Sequence, residues 1–400
     1  MLEHLSATAP DPILGLIQLF RDDSRHDKVD LGVGVYKDDQ GFTPVMRAIK
    51  AAQMDLAQTQ DSKAYVGPNG NALFNELLTD LVFGPVATQL KPRLSLLQTP
   101  GGCGALRVAA ELIHQAHPSA TLWVSDPTWN NHIPLLGNAG LRIESYPYFD
   151  LKGQSLRRTE MFEVLAQQVA ARDVVLLHGG CHNPTGVDLS LDDWRSLAEL
   201  ASVKGFVPLV DMAYHGFADG LEEDVQGLQL LASSVPELLL TYSCSKNFGL
   251  YKDRVGAVGV LSQDVTNKQI VHGHLHSIVR GLYSMPPDWG ASLVGGVLAD
   301  EHRRQDWRME LGEMRTRIQG LRGAFSEQMR LLLDSPRFDF VADQCGMFSF
   351  LGLGTEQVKF LAQQAGIYML SSSRASIAGL TERNLEYVCG HIADAVTGYD

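Results

Sequence analysis

One stretch of the sequence decides how the rest is interpreted: Thr241-Tyr-Ser-Cys-Ser-Lys-Asn-Phe-Gly-Leu-Tyr-Lys-Asp-Arg254. It follows the apolar run Leu238–Leu240, which is typical of a short buried strand. Hydroxyls and a guanidinium suit a phosphate, because arginine presents a planar fork of donors. A lysine between them could form a Schiff base with an aldehyde carried on that phosphate. Pyridoxal phosphate has both groups. The residues in question are Ser243, Ser245, Lys246 and Arg254. The stretch alone is equally compatible with a solvated lysine and arginine on a loop.

Length and composition describe an ordinary globular protein. The chain has 400 residues, 45% hydrophobic and 20% charged, and this length predicts two domains. The formal net charge of −13 argues against nucleic acid or an anionic membrane surface as a partner. Five scattered cysteines without CxxC spacing are typical of reduced thiols. The start shows no signal-peptide pattern, and no apolar run approaches the roughly 18 residues of a membrane span. We therefore expect a cytoplasmic protein.

Short apolar runs alternate with helical segments between residues 95 and 262. Near-continuous apolar strands that alternate with helices predict an α/β fold, with a mostly parallel sheet covered by helices on both faces. Ligands of such sheets lie beyond the carboxyl ends of the strands, so the residues there are the candidates for a site. The predicted strands are Leu122–Ser125, Val174–His178, Val207–Asp211, Leu238–Leu240 and Val255–Leu261, with a helix at Leu191–Lys204 among them.

The two ends of the chain differ from this pattern. Pro10 and Pro12 bar an early helix, which predicts an N-terminal arm over residues 1–12. A short helix at Ile13–Phe20 and an alternating strand at Val29–Tyr36 follow. After residue 300 one apolar stripe predicts a long packing helix. Its members are Trp307, Leu311, Met314, Ile318, Leu321, Phe325, Met329 and Leu332.

Helices at Glu356–Ala365 and Arg383–Val396 then complete a smaller α+β domain. The predicted division is the arm (1–12), the first part of the small domain (13–42), the large domain (43–305), and the interdomain helix with the rest of the small domain (306–400).

Several predicted strand ends carry polar residues. The glycine-rich turn Thr99–Gly104 runs into a helix over Ala105–Ala116, and such a turn can bind an anion. It matches neither GxGxxG nor GxxxxGK[ST], so the sequence does not support binding of a dinucleotide or a nucleoside triphosphate at this turn. Asp211 could hold a pyridinium nitrogen, and Tyr214 could hydrogen-bond the ring oxygen, although in isolation a helix cap is the preferred interpretation of Asp211.

Two other groups of residues have alternative interpretations. Trp129 is either core or a stacking platform for a ring, with His132 after it on the same strand end. The histidines of His272-Gly-His-Leu-His276 would share one face of a strand and could ligate zinc. The segment Thr266–Val279 is more typical of a helix, where only His272 and His276 share a face, so we expect no metal site.

The motifs together resemble one family, the aspartate and aromatic-amino-acid aminotransferases of the fold-type I pyridoxal-phosphate enzymes. The resemblance runs from the N-terminal arm to the last helix, with the motifs in the same order. It is carried by Ser-Cys-Ser-Lys-Asn-Phe-Gly-Leu-Tyr, Cys-His-Asn-Pro-Thr-Gly, the Asp211–Tyr214 pair, Asp-Pro-Thr-Trp, and Asp11-Pro-Ile-Leu-Gly-Leu.

The resemblance implies a role for each candidate residue. Lys246 would form the Schiff base and shuttle the proton at the substrate Cα, and Asp211 would pair with the pyridine nitrogen. Tyr214 and Asn183 would bond the ring oxygen, Trp129 would stack on the ring, and His132 would support Asp211. The phosphate would be held by Gly102, Cys103, Ser243, Ser245, Arg254 and, from the other subunit of a homodimer, Tyr65. Arg374 with Gly34 would bind the substrate α-carboxylate, and the partner's Arg280 a side-chain carboxylate.

Two departures from the family pattern affect the expected function. Cys103 stands where Thr or Ser is common, which exchanges a good donor for a weak one and predicts weaker cofactor retention. Met285 stands where aspartate-specific members carry Asn, and a deformable apolar side chain suits an aromatic substrate. We therefore expect transfer of an amino group from tyrosine or phenylalanine, and also from aspartate, to 2-oxoglutarate by a ping-pong mechanism. The alternatives are an aspartate aminotransferase with little aromatic activity, and a pyridoxal-phosphate lyase or decarboxylase on the same scaffold.

Overall fold

The computed structural model describes residues 2–6 and 12–399. Residues 7–11 of the predicted arm, including Asp11, lie outside the described residues. The chain divides into two units: one joins the segment that ends at Thr43 to the segment that begins at Ile318, and the other is Pro44–Arg317. The predicted domain boundaries at residues 12, 42 and 305 stay predictions. No helix within the described ranges is both long and apolar enough to cross a membrane.

The Pro44–Arg317 unit contains a seven-stranded sheet in the order β2-β10-β9-β8-β7-β3-β4. Strands β3, β4, β7, β8 and β9 are mutually parallel, while β10 is antiparallel to both of its neighbours. The α/β architecture with a mostly parallel sheet is thus confirmed. The strands are β2 (Leu94–Pro100), β3 (Thr121–Asp126), β4 (Arg142–Pro147), β7 (Val174–His178), β8 (Val207–Met212), β9 (Leu238–Ser243) and β10 (Val255–Leu261), with a small hairpin of β5 (Phe149–Asp150) and β6 (Ser155–Leu156) beside them.

The central strands are largely buried because helices cover the sheet, and their polar residues lie toward their carboxyl ends. Every residue of β9 and of β10 is buried. The helices of this unit are α2 (Arg47–Thr59), α3 (Ala72–Phe83), α4 (Ala87–Leu90), α5 (Gly101–Ala116), α6 (His132–Gly137), α7 (Arg158–Gln168), α8 (Leu191–Lys204), α9 (Gln226–Ser234), α10 (Val265–Leu282), α11 (Asp288–Ala299) and the first half of α12 (Glu301–Leu333).

The other unit combines short strand pairs with helices. Strand β1 pairs in parallel with β12, and β11 pairs antiparallel with β13. Its elements are α1 (Pro12–Asp22), β1 (Val29–Asp30), the second half of α12, α13 (Phe340–Asp343), β11 (Phe348–Phe350), α14 (Thr355–Ala365), β12 (Ile367–Tyr368), β13 (Arg374–Ser376) and α15 (Glu382–Tyr399).

Two sequence predictions for this part of the chain are wrong. The strand predicted over Val29–Tyr36 ends at Asp30. It ends there because the Asp30 carboxylate accepts the backbone N–H groups of Gly32 (2.9 Å) and Val33 (3.2 Å), which turns the chain. The apolar stripe of α12 is buried as predicted up to Met329, but Leu332, one residue before the helix ends, is 46% exposed.

Candidate active site

Asp211 lies at the centre of a hydrogen-bonded group at the carboxyl ends of the parallel strands. Its two carboxylate oxygens contact different partners: the Thr241 hydroxyl donates to one (2.6 Å) and His132 Nε2 lies 3.3 Å from the other. An ionised carboxylate is acceptor-only, so both partners donate to it. Burial raises the pKa of Asp211, but these hydrogen bonds outweigh it and the pKa lies below its ordinary value. The site therefore holds a buried negative charge.

The strand register explains why these groups meet. His178, Asp211 and Thr241 are aligned across β7, β8 and β9 as direct register partners. Thr128 connects the two imidazoles, because its hydroxyl lies 2.8 Å from His132 Nδ1 and 3.2 Å from His178 Nε2. Burial, and secondarily the neighbouring His132, lowers the pKa of His178 to about 3, so this imidazole is neutral at physiological pH.

Lys246 follows β9 at the same edge of the sheet. Its ammonium nitrogen lies 4.8 Å from the centroid of the Tyr214 ring. The Asn183 side-chain amide is 3.4 Å from the Tyr214 hydroxyl. Asn183, Tyr214 and Ser245 are buried, so the lysine is held among polar groups that are shielded from water. The structure thus brings together an amine, a phenol, an amide and, on the adjacent strand, the Asp211 carboxylate.

The predicted phosphate-binding residues lie at the start of α5 and in the turn after β9. Gly101 has a φ of +70°, and a Cβ there would lie 2.5 Å from Nη2 of Arg254, so only glycine lets the guanidinium approach the helix start. Gly102 lies against Ser243 on the neighbouring strand. The Ser245 hydroxyl is 3.4 Å from Arg254 Nη1. Backbone N–H groups, two hydroxyls and a guanidinium lie together here, and this set of donors suits an anion.

Cys103 follows these glycines and is half-buried. Its sulfur is 4.0 Å from the side-chain nitrogen of Asn131. Trp129 also lies at this edge, with its ring edge-on to His132 at a centroid distance of 5.2 Å. The Trp129 ring packs against the core below the strand ends.

Gly34 and Arg374 belong to the other unit, and both lie against the ring of Phe348. The Arg374 guanidinium lies 4.3 Å from the centroid of the Phe348 ring, and its Nη2 donates to the Gly32 carbonyl (2.6 Å). A Cβ on Gly34 would lie 2.6 Å from the same ring. The arginine is 4% exposed, so its charge is held in a buried frame.

Tyr65 and Arg280 are placed outside this group. Tyr65 is 92% exposed, and Arg280 is exposed near the end of α10, where it contacts the hydroxyl of Ser284. The structure gives neither of them a contact with the Lys246 group among the described residues. Met285 is half-buried in the loop after α10.

The three neighbouring histidines lie on α10, as the helical interpretation predicts. His276 contacts the Asn69 side chain (2.6 Å) and His274 contacts Gln115 (3.1 Å), so the imidazoles point to different partners. Within the described ranges no three His, Cys, Asp or Glu side chains form a group that could hold a metal ion.

Thr241 and Thr128 are the residues that sequence reasoning did not select. Thr241 is the first residue of the stretch Thr241–Arg254, but its contact with Asp211 follows from the strand register that pairs the two residues. Aligning the predicted parallel strands end to end would have found it. Thr128 has no such signal, because its contacts depend on how the loop after β3 turns.

The residues fit pyridoxal phosphate group by group. The cofactor requires partners for a phosphate, a pyridine nitrogen, a ring oxygen and an aldehyde. Arg254 with the start of α5 suits the phosphate, and the ionised Asp211 suits a protonated nitrogen. Tyr214 with Asn183 suits the ring oxygen, and Lys246 suits the aldehyde. The tight approach of Gly101 to Arg254 leaves no space for a larger residue in this cradle.

Comparison with known proteins identifies the class of protein that this sheet and its strand-end residues define. A solved structure of the aromatic-amino-acid aminotransferase from Burkholderia pseudomallei, covalently bound to pyridoxal phosphate, superposes with a TM-score of 0.95 at 34% identity, covering 99% of each chain. The family model for aminotransferase class I and II matches residues 26–392. The chain therefore belongs to the class I and II aminotransferases.

Two curated relatives are similar over almost the whole chain. The aromatic-amino-acid aminotransferase of Pseudomonas aeruginosa is 44% identical over 386 residues, which is 96% of each chain. The aspartate aminotransferase of Escherichia coli is 41% identical over 390 residues, 97% of this chain and 98% of that protein. The similarity thus extends to both substrate branches of the family.

Proposed function

We propose that the chain is a pyridoxal-phosphate aminotransferase that takes the amino group of tyrosine or phenylalanine, and also of aspartate, and delivers it to 2-oxoglutarate by a ping-pong mechanism. The observation that carries the proposal is the buried, ionised Asp211 at the same sheet edge as Lys246. A carboxylate kept charged in a buried site needs a cationic ligand group, and a protonated pyridine supplies one. Similarity to both aromatic and aspartate aminotransferases supports the two kinds of donor.

The residues of the site have distinct tasks in this reaction. Bound pyridoxal phosphate supplies an aldehyde that carries the nitrogen and a ring that withdraws electrons. Asp211, held by His132 and Thr241, keeps a proton on the pyridine nitrogen. Lys246 moves the proton at the substrate Cα. Tyr214 and Asn183 bond the ring oxygen, and Trp129 stacks on the ring.

Two arginines divide the recognition of the substrate. Arg374 binds the α-carboxylate that every substrate carries, since a guanidinium fork matches a carboxylate in two parallel hydrogen bonds. Arg280 binds the second carboxylate of aspartate or 2-oxoglutarate. Met285 supplies an apolar contact for an aromatic ring. Together they allow one site to accept two unlike side chains.

Steady-state kinetics with three donors test the proposal. We expect tyrosine, phenylalanine and aspartate all to be substrates with 2-oxoglutarate as acceptor, with a higher kcat/KM for the aromatic donors. Initial rates at varied donor and acceptor concentrations should give parallel lines in a double-reciprocal plot. Turnover of aspartate alone would contradict the aromatic assignment, and carbon dioxide or ammonia release without an acceptor would indicate a lyase.

We also infer a homodimer in which each site takes Tyr65 and Arg280 from the partner subunit. The exposure of both side chains supports it, since residues that serve a partner's site are solvent-exposed on a single chain. Mixing the inactive variants Lys246→Ala and Arg280→Leu during refolding tests it with aspartate as donor. Random pairing gives half heterodimers with one intact site each, and thus about a quarter of the wild-type activity. Sites built within one chain would give no recovery.

The proposed compartment is the cytoplasm. Five scattered cysteines without CxxC spacing support it, because such cysteines are typical of the reduced thiols found there.

A further inference from the structure

A buried arginine on α12 organises the loop that leads into β11. Arg322 is 1% exposed. Its guanidinium donates to the carbonyls of Val341 (3.1 Å), Cys345 (3.0 Å), Gly346 (2.8 Å) and Phe348 (2.6 Å), and to the Ser349 hydroxyl (2.7 Å). One side chain thereby holds the backbone of the segment 341–349.

Only an arginine can make this set of contacts. Its five N–H groups form a rigid planar fork, whereas lysine has three donors on a single atom. A buried charge is stable only when it is fully hydrogen-bonded, so the carbonyls must stay where they are. Ser349 extends the arrangement, because its hydroxyl also contacts the Gln344 side chain (2.5 Å). The loop is therefore fixed from its interior.

The ring of Phe348 connects the segment that Arg322 holds to the guanidinium of Arg374. Phe348 and Arg374 lie on the paired strands β11 and β13, where Phe350 is the register partner of Arg374. The ring presents its face to the guanidinium at 4.3 Å, and Gly34 lies against the ring's far end. The Gly32 carbonyl also accepts a hydrogen bond from Arg374 Nη2. The ring and this hydrogen bond together fix the plane of the Arg374 guanidinium.

We propose that Phe348 and Arg322 are positioning residues for the substrate α-carboxylate: Arg322 holds the backbone of Phe348, and the Phe348 ring holds the Arg374 guanidinium in the orientation that binds the carboxylate. The inference rests on the proposed function, in which Arg374 binds that group. A bidentate carboxylate contact requires both oxygens to meet the plane of the fork, so a rotated guanidinium loses most of its advantage.

Binding of an unreactive carboxylate to the cofactor-loaded enzyme tests the proposal. 3-Phenylpropanoate has the carboxylate and the ring of a substrate but no amino group, and its Kd is measured by calorimetry. We expect Phe348→Leu to raise this Kd about tenfold, because the desolvated cation–π contact is lost. The KM of phenylalanine should rise by a similar factor while kcat stays within about threefold of the wild-type value.

Variants of Arg322 and of its partner Ser349 test whether Arg322 acts on carboxylate binding through Phe348. Arg322→Lys keeps the charge but not the fork, and we expect a Kd increase similar to that of Phe348→Leu. Because this change leaves buried carbonyls unpaired and can prevent folding, Ser349→Ala is the milder form. It removes one acceptor, and we expect a Kd increase of about threefold.

Two matched controls separate positioning from general stability. Phe325→Leu removes a buried ring on α12 that packs edge-on against Phe338 at 6.0 Å, and Arg330→Met removes an exposed arginine of the same helix. Phe325→Leu should lower the Tm as Phe348→Leu does, and both controls should leave the Kd unchanged. Kd values for Phe348→Leu and Ser349→Ala no higher than that of Phe325→Leu would overturn the inference.

Arg374→Leu distinguishes this inference from the proposed function. If it abolishes 3-phenylpropanoate binding while the Phe348 and Ser349 variants bind normally, only the positioning role is wrong. If Arg374→Leu itself leaves the Kd unchanged, the assignment of Arg374 as the carboxylate-binding residue is wrong.

Discussion

The Asp211 group and the end of α10 are organised in opposite ways. Asp211 is buried, and its oxygens are bonded by Thr241 and His132 from neighbouring elements of the same unit. Arg280 is exposed and contacts only the nearby Ser284 in the part of the chain that the structure describes. In the proposed function the chemistry common to every substrate belongs to this buried group, and recognition of the variable side chain belongs to an exposed residue. Changes in the first region should affect all substrates equally, and changes in the second should separate them.

Lys246→Ala should have the largest effect and should not discriminate between substrates. Loss of the amine removes both the covalent attachment and the proton transfer, of which the second alone is worth roughly 10²–10⁴ in rate. We expect turnover of tyrosine, phenylalanine and aspartate to fall together, and the visible absorbance of the lysine-bound cofactor to disappear. A variant with normal absorbance would show that another group holds the cofactor.

Arg280→Leu should affect only the dicarboxylates. In the proposed dimer Arg280 pairs with the substrate's side-chain carboxylate inside the partner's site. Removing one member of a buried ion pair costs roughly 3–5 kcal/mol, or on the order of a hundred- to a few-thousand-fold in kcat/KM. The half-reactions of aspartate and 2-oxoglutarate should fall by that factor, while the phenylalanine half-reaction stays within about tenfold because an aromatic ring needs no charge partner. Single-turnover measurements separate the half-reactions. An equal loss for all three would make Arg280 structural.

His132→Phe should weaken every half-reaction by the same, smaller factor. The change removes a hydrogen bond that lowers the pKa of Asp211, so this pKa should rise. Hydrogen bonds to a charged group are worth about 1.5–3 kcal/mol, which predicts a loss of roughly ten- to a hundredfold. Thr241→Val removes the other donor and is the matched variant. Losses that differed between aspartate and phenylalanine would contradict the separation of the two regions.

The neutral His178 should make stability depend on pH. Its folded-state pKa of about 3 lies below the ordinary 6.5, so its contribution is present above pH 6.5 and is lost as the pH falls toward 3. The loss should reach about 1.4 kcal/mol per pH unit. His178→Asn should flatten the fall of the unfolding free energy, measured by denaturant titration between pH 6.5 and 4. Substitution of the exposed His302, His302→Asn, is the control. A similar flattening in that variant would show that the pH dependence does not come from His178.

Cys103→Thr should have the smallest effect, confined to the cofactor. A hydroxyl in place of the thiol adds one good donor at the start of α5, worth about 0.5–1.5 kcal/mol. We expect cofactor release to slow roughly three- to tenfold, with kcat unchanged at saturating cofactor. Cys103→Ala is the matched control and should release the cofactor at the wild-type rate. Equal rates for Thr and Cys would mean that the backbone N–H alone acts there.

Most of the strands and helices predicted within the Pro44–Arg317 unit are confirmed because their sequence signals are local. Strands β7 and β10 and the helix α8 begin and end at the predicted residues, since apolar runs and turn residues act within a few positions. The strands β2 and β4 were not predicted, and the antiparallel direction of β10 has no local signal. The strand at Val29–Tyr36 failed where a side chain, Asp30, competes for the backbone.

The amino-acid sequence by itself determined the class of fold, the family and the chemical types that the site needs, because strand periodicity, the glycine turn and the Ser-Cys-Ser-Lys motif are contiguous in the chain. Tertiary structure alone decided which groups support them. Thr241 reaches Asp211 through the register of parallel strands, Thr128 joins two histidines through a loop, and Arg322 reaches Phe348 from a helix more than twenty residues away. Such contacts depend on distances between elements, and these arise only when the hydrophobic core packs.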